Sequence, residues 1–182
     1  MAAVALRLED YAPTDFKVRV AARPAALVAE RSTSDDALNK ALDATRLQFQ
    51  EHTAELETRL SSFKQGFARL VHNAEEYLSK GTPVDLAGVI TQLRSMEEIA
   101  QGDVEPLVNG ARSYRALAMK LPPGLRAREV ALWDRHINTL LQLPEILRDA
   151  RWQLLAVRAG AEKQTGRRFD SADELARYLD SL

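Results

Sequence analysis

The sequence predicts an all-α fold, and three observations carry that expectation. Leu42, Phe49, Leu56, Phe63, Leu70 and Tyr77 recur every seven residues inside one uninterrupted helical pattern, which is the spacing of an apolar seam laid along a partner. Ala, Leu, Arg and Glu dominate the 182 residues while aromatics make up only 6%, a composition that favours helix. Breakers are concentrated in a few places, among them Gly81-Thr82-Pro83 and Leu121-Pro122-Pro123-Gly124, so they mark the ends of long elements rather than interrupting short ones. The seam spans roughly 54 Å of helix, longer than the ~40 Å diameter expected of a round chain this size. The expected architecture is therefore an elongated bundle of about four helices. It is built on one helix of about 45 residues, with a partly extended N-terminal arm and a short C-terminal helix. In domain terms this reads as an arm over 1–33, a helical bundle over 34–164 and a docking or capping helix over 165–182.

Taken in order, residues 1–31 do not read as helix. Val4, Leu6 and Leu8 alternate with other residues, as do Phe16, Val18 and Val20, and Tyr11-Ala12-Pro13-Thr14-Asp15 between them carries turn chemistry. The pattern suggests a hairpin, or else a flexible arm, because two strands alone are marginal in water. Ser32-Thr33-Ser34-Asp35-Asp36 supplies N-capping hydroxyls and first-turn acids for a helix running to Ser79. Along that helix the slots four residues after the seam positions hold Arg46 and Thr53 in the first half, but Leu60, Phe67 and Ala74 in the second. The second half should be well buried and the first should show a narrower stripe. Gly66 in the helix interior costs roughly 1 kcal/mol against Ala, which points to a close helix crossing.

Gly81 then reads as a helix stop, with Thr82 as the next N-cap and Pro83 at the first helical position. Leu86, Val89, Ile90, Leu93 and Met96 mark a second helix. Gly102-Asp103 reads as a recap, and Val104, Leu107, Val108, Ala111, Tyr114 and Ala118 mark a third. A fourth segment from Leu125 to Gln164 carries Trp133, Ile137, Leu140, Leu141, Leu147, Leu154 and Leu155, with a kink or break expected near Gln142 because Pro144 lacks a donor. Trp133 and Trp152 are expected as core anchors. At the end, Ser171 and Glu174 form a capping box. Leu175, Tyr178, Leu179 and Leu182 come after it at i, i+3, i+4 and i+7 as an amphipathic stripe.

Composition narrows the function classes. Apolar residues are 46% and charged residues 28%, as in ordinary globular proteins. There is no cysteine, which excludes disulfides and thiolate metal sites. The first ten residues lack a secretory pattern and no apolar run approaches the ~18 residues that cross a bilayer, so a cytoplasmic chain with no membrane partner is expected. Net charge is −1 but uneven: residues 125–168 carry nine bases against five acids, and 169–182 carry four acids against Arg177. A basic helix followed by an acidic tail can fold back on itself or address a separate partner.

Motifs for catalysis are missing. Glu-x-x-His, the pattern of a carboxylate-bridged metal bundle, fails at His52, His72 and His136, which follow Phe49, Arg69 and Trp133 by three. No phosphate-binding glycine loop and no nucleophile elbow occurs, Glu97-Glu98 reads as a solvated pair, and neither a metal nor any other cofactor is expected. Arg148, Arg151, Arg158, Arg167 and Arg168 are the candidates for nucleic-acid phosphate, although Glu145, Asp149 and Glu162 intervene. Leu42, Phe49, His52 and Leu56 are the candidates for self-association, with His52 as a polar residue able to set register. Phe169, Leu175, Tyr178, Leu179 and Leu182 are the candidates for docking into a partner groove.

The opening Phe169-Asp170-Ser171, with Glu174-Leu175 and a short amphipathic helix after it, resembles the toxin-wrapping tails of some bacterial antitoxins. That resemblance covers about fourteen residues and implies a regulator that neutralises a protein partner. Such antitoxins are shorter and begin with a DNA-binding module, which this chain does not show. The function expected from the residues themselves is a non-enzymatic interaction protein, a scaffold or adaptor that associates with itself or another protein, with a nucleic-acid-associated bundle as the rival.

Overall fold

In a computed structural model, residues 2–16, 35–164 and Arg177 are described. The fold is all-α, built on three long helices: α1 (Asp35–Ser79), α2 (Ala87–Ala118) and α3 (Pro123–Gln164). Before α1 come a two-residue strand β1 (Val4–Ala5) and a 3-10 turn over Leu8–Asp10, and between α1 and α2 lies a second strand β2 (Val84–Asp85). The long first helix appears as the sequence predicts. The capping residues 32–34 and the arm over 17–31 lie outside the described residues, as does the whole terminal stripe.

Two of the predicted helices are one. Gly102-Asp103 does not recap the chain, because α2 runs through it to Ala118. The buried series Val89, Leu93, Glu97, Ala100, Val104, Leu107 or Val108, Ala111, Tyr114 and Ala118 never leaves the three-or-four spacing of one helical face. Packing along that unbroken face outweighs the roughly 1 kcal/mol cost of an interior glycine. Pro106 also lies inside α2. Its ring crowds the carbonyl four residues earlier, which belongs to Gly102, the residue with most freedom to adjust. Pro144 likewise lies inside α3 without breaking it.

The first turn signal is half right. Gly81 adopts φ 72°, Thr82 N–H donates to Tyr77 O at 2.9 Å and Gly81 N–H to Leu78 O at 3.0 Å, which is the paired closure of a glycine-terminated helix. Thr82 does not cap α2. Pro83 precedes β2, and Asp85 takes the capping role, its carboxylate accepting from Ala87 N–H at 2.9 Å. The strand β1 pairs in parallel with β2, Val4 opposite Val84 and Ala5 opposite Asp85; the second arm of the expected hairpin, Phe16–Val20, lies outside the described residues beyond Phe16.

The chain divides into two compact units, and each helix contributes one segment to each. Unit 1 contains Met1–Thr14, Ser62–Glu98 and Glu145–Leu182; unit 2 contains Asp15–Ser61 and Ile99–Pro144. Unit 1 has a core of Phe63, Phe67, Leu70, Val71 and Ala74 from α1, Val89, Ile90 and Leu93 from α2, and Leu147, Leu154 and Leu155 from α3. Leu6, Leu8 and Ala12 of the N-terminal segment are buried there too. Gly66 serves this segment rather than a helix crossing: a Cβ there would overlap the Tyr11 carbonyl oxygen, lie 2.8 Å from its carbon and 3.1 Å from Ala12 Cα. Asn73 Nδ2 donates to Tyr11 Oη at 3.0 Å and fixes the same approach. Unit 2 packs Leu42, Phe49 and Leu56 of α1 with Val104, Leu107, Val108, Ala111 and Tyr114 of α2 and Trp133, Ile137, Leu140 and Leu143 of α3.

Candidate functional site

The seam residues are covered by the chain itself. Leu42, Phe49, Leu56, Phe63 and Leu70 are all buried, while the sixth, Tyr77, is exposed. In unit 2 the polar companion slots meet polar groups on α3. Arg46 donates from Nη1 to Glu129 Oε1 at 2.8 Å, and Thr53, seven residues on, meets His136, seven residues beyond Glu129. Matching increments on both helices mean that α1 and α3 run parallel within this unit. Glu57 extends the series, accepting from Arg135 Nε at 2.8 Å and from the Thr139 hydroxyl at 3.1 Å.

The Thr53–His136 pair is the arrangement most like a catalytic dyad. Thr53 Oγ1 donates to Phe49 O at 2.7 Å, so its single proton is used, and His136 Nδ1–H is the donor to the hydroxyl oxygen. Both residues are almost wholly buried. Edge-on rings pack against the imidazole, Phe49 at 4.6 Å and Trp133 at 6.4 Å between centroids, while Tyr114 stacks on Trp133 at 4.6 Å. Burial, with a smaller contribution from His52, lowers the His136 pKa to about 4, because a desolvated imidazole resists charging. The imidazole, bonded to this hydroxyl inside an aromatic shell, ties α1 to α3 at one register. Arg46 is held charged chiefly by its hydrogen bond to Glu129, and burial raises the Tyr114 hydroxyl, an effect reduced by nearby Thr45. Trp133 Nε1 and Glu129 Oε2, one turn apart on α3, and His52 Nδ1 are buried without a hydrogen-bond partner.

Unit 1 differs. Among the described residues its buried ionisable side chain is Glu97, which accepts from Arg151 Nε at 2.9 Å. The expectation of a solvated Glu97-Glu98 pair therefore holds only for Glu98, which is exposed and bridges to Arg94 at 3.3 Å. Glu97 sits on the buried face of a helix that the Gly102-Asp103 signal would have divided nearby. Unit 1 also contains an open recess of about 670 Å³ lined by Leu78, Val84, Leu86, Ala87, Arg158 and Ala161, among others. The Schellman-type end of α1, strand β2 and the last turns of α3 form its walls. Sequence reasoning misses this recess, although Gly81-Thr82-Pro83 marks one of its edges.

The remaining candidates separate. Arg151 is committed to Glu97 and its guanidinium also lies 5.4 Å from the Trp152 ring. Arg148 pairs with Asp149 at 3.8 Å, Arg158 lines the recess, and Arg167 and Arg168 lie outside the described residues. Trp133 anchors the core of unit 2 as expected, but Trp152 is 39% exposed, because successive turns of α3 present its indole outward and Arg151 covers it instead of the core. His52 is half-buried and His72 exposed, and no group of three or more metal-ligating side chains occurs among the described residues. Phe169, Leu175, Tyr178, Leu179 and Leu182 lie outside the described residues. No described helix is long and apolar enough to cross a membrane. No family model, no curated protein and no solved structure matches the chain.

Proposed function

We propose that this chain is a non-enzymatic interaction protein of the cytoplasm, a helical scaffold or adaptor, and that the recess of unit 1 is its contact point. The observation that carries the reading is the character of that recess. Its volume lies in the ~300–1,000 Å³ range of binding sites, and most of the named wall is apolar. Its carboxylate, Asp85, is engaged by Ala87 N–H. Buried Glu97, Glu129 and His136 each bond a side chain on another helix, so they support architecture rather than turnover. Ala87→Trp fills the recess from an exposed position. Quantitative affinity capture with wild type and this variant, at equal thermal stability, tests the reading. A partner held by wild type and lost by the variant supports it, and unchanged capture overturns the recess as contact point.

Self-association belongs to the same proposal but moves to other residues. Leu42, Phe49 and Leu56 are used inside unit 2, so a second copy meeting them would have to open that core. The apolar side chains left for it in unit 2 include Leu47 and Ile99, 63% and 60% exposed. Sedimentation as a monomer at concentrations on the order of tens of micromolar overturns this part, and a dimer dispersed by Leu47→Asp supports it.

A further inference from the structure

The corner of unit 2 between α2 and α3 gathers cations without acids. Residues 112–128 carry Arg112, Arg115, Lys120, Arg126 and Arg128 and no Asp or Glu, in a chain whose net charge is −1. Arg115 is matched by Asp134 at 2.5 Å. Arg112, Lys120, Arg126 and Arg128 make no ion pair with a described carboxylate, and Arg126 instead donates from Nε to Leu121 O at 3.1 Å. Acids on the neighbouring turns are already engaged. In the first turns of α1, which runs parallel to α3 here, Asp36 pairs with Lys40 at 3.2 Å and Asp43 with Arg46, while Glu129 of α3 is buried against Arg46. An approaching anion therefore meets uncompensated positive charge.

The same corner exposes apolar side chains. Met119 and Leu125 are 47% and 44% exposed, and Pro122 and Pro123 between them are exposed as well. α2 and α3 run antiparallel in this unit, with Tyr114 stacked on Trp133 and Arg115 paired with Asp134, and only residues 119–122 connect them. The corner is thus the convex end of a hairpin, which suits a yielding surface better than a peptide that needs a groove. We propose that it is a peripheral contact for an anionic lipid surface. Met119 and Leu125 enter the headgroup layer, and the cations around them attract the negatively charged lipids. Single-stranded nucleic acid, the other polyanion, is held largely by stacking on aromatic rings, and residues 119–128 contain none. The expectation of no membrane partner rests on the lack of a spanning segment, which a peripheral contact does not require. This contact is independent of the recess in unit 1.

Cosedimentation of the full chain with vesicles of phosphatidylcholine, alone or mixed with phosphatidylserine, tests the proposal. The expected result is binding to the anionic vesicles only, weakening as salt rises. Lys120→Gln with Arg128→Gln should weaken that binding on the order of 25-fold, about fivefold for each cation removed. Met119→Ser with Leu125→Ser should weaken it on the order of tenfold and leave its salt dependence in place. All four positions are exposed, so both variants should melt with the wild type, and that match is checked first. Equal binding to both kinds of vesicle, binding to neither, or binding that both variants retain would overturn the proposal. Retention of DNA that Lys120→Gln with Arg128→Gln abolishes, without vesicle binding, would assign the corner to nucleic acid and overturn the lipid contact.

Discussion

Unit 1 and unit 2 are built from the same three helices and the same seven-residue seam, yet their cores follow different rules. In unit 2 the seam is accompanied by Arg46 and Thr53, and buried Thr45, Glu129, His136 and Thr139 join them. In unit 1 the companions are Phe67 and Ala74, with Glu97 as the buried polar exception among the described residues. An apolar core is held by area and tolerates sliding, whereas a buried polar group is stable only where its partner stands. The steps from Arg46 to Thr53 and from Glu129 to His136 are both seven residues, so unit 2 sets a register that shape alone would not specify. The buried Trp133 Nε1 and Glu129 Oε2 without partners show that this specificity has an energetic cost.

The largest expected effect tests whether the aromatic cluster carries unit 2. Trp133 is fully buried, with Phe49 4.8 Å away and Tyr114 stacked on it, and Trp133→Ala should cost about 4 kcal/mol in denaturant unfolding. Leu70→Ala in unit 1, equally buried, should cost about 3 kcal/mol; a reversed order would break the contrast. Next, Arg151→Ala removes the cation that faces buried Glu97, an expected loss of about 3 kcal/mol. The double change Glu97→Leu with Arg151→Leu should restore most of it, since a single ion pair in an apolar core is replaceable.

A pH titration sharpens the comparison from the other side. The unfolded chain protonates His136 below pH ~6.5, while the folded chain does so only near pH 4. Between those values the unfolded state binds more protons, so this residue's contribution is complete above pH ~6.5 and falls by up to about 3 kcal/mol as pH drops to 4. His136→Gln should flatten that part of the stability profile, and an unchanged slope would place the acid sensitivity elsewhere. The smallest of these effects belongs to Gly66→Ala. Its methyl group displaces the Tyr11–Ala12 backbone, with an expected loss of about 2 kcal/mol and faster hydrogen exchange at Val4, whose N–H donates to Pro83 O at 2.9 Å.

Long-range patterns were more legible than local punctuation. The seam and its two sets of companions located α1 and anticipated its buried second half, because repetition over many turns averages out single-residue preferences. Gly102 reads as a break and Pro144 as a kink or break because each is locally unfavourable, but both helices run on through them, since packing of an otherwise unbroken apolar face outweighs one unfavourable residue. Glu97 and Trp152 were misread for a related reason: both depend on where a helical face points in the finished core. The recess could not be read at all, since its walls come from three segments distant in sequence.

Local backbone preference and side-chain periodicity set the helical class, the 45-residue α1, the glycine closure at Gly81 and the seam. Assembly of the helices selects which polar residues are buried as partners, where β1 pairs and why position 66 must be glycine. Those outcomes depend on contacts between residues far apart in the chain, and periodicity within one helix contains no information about the register of another.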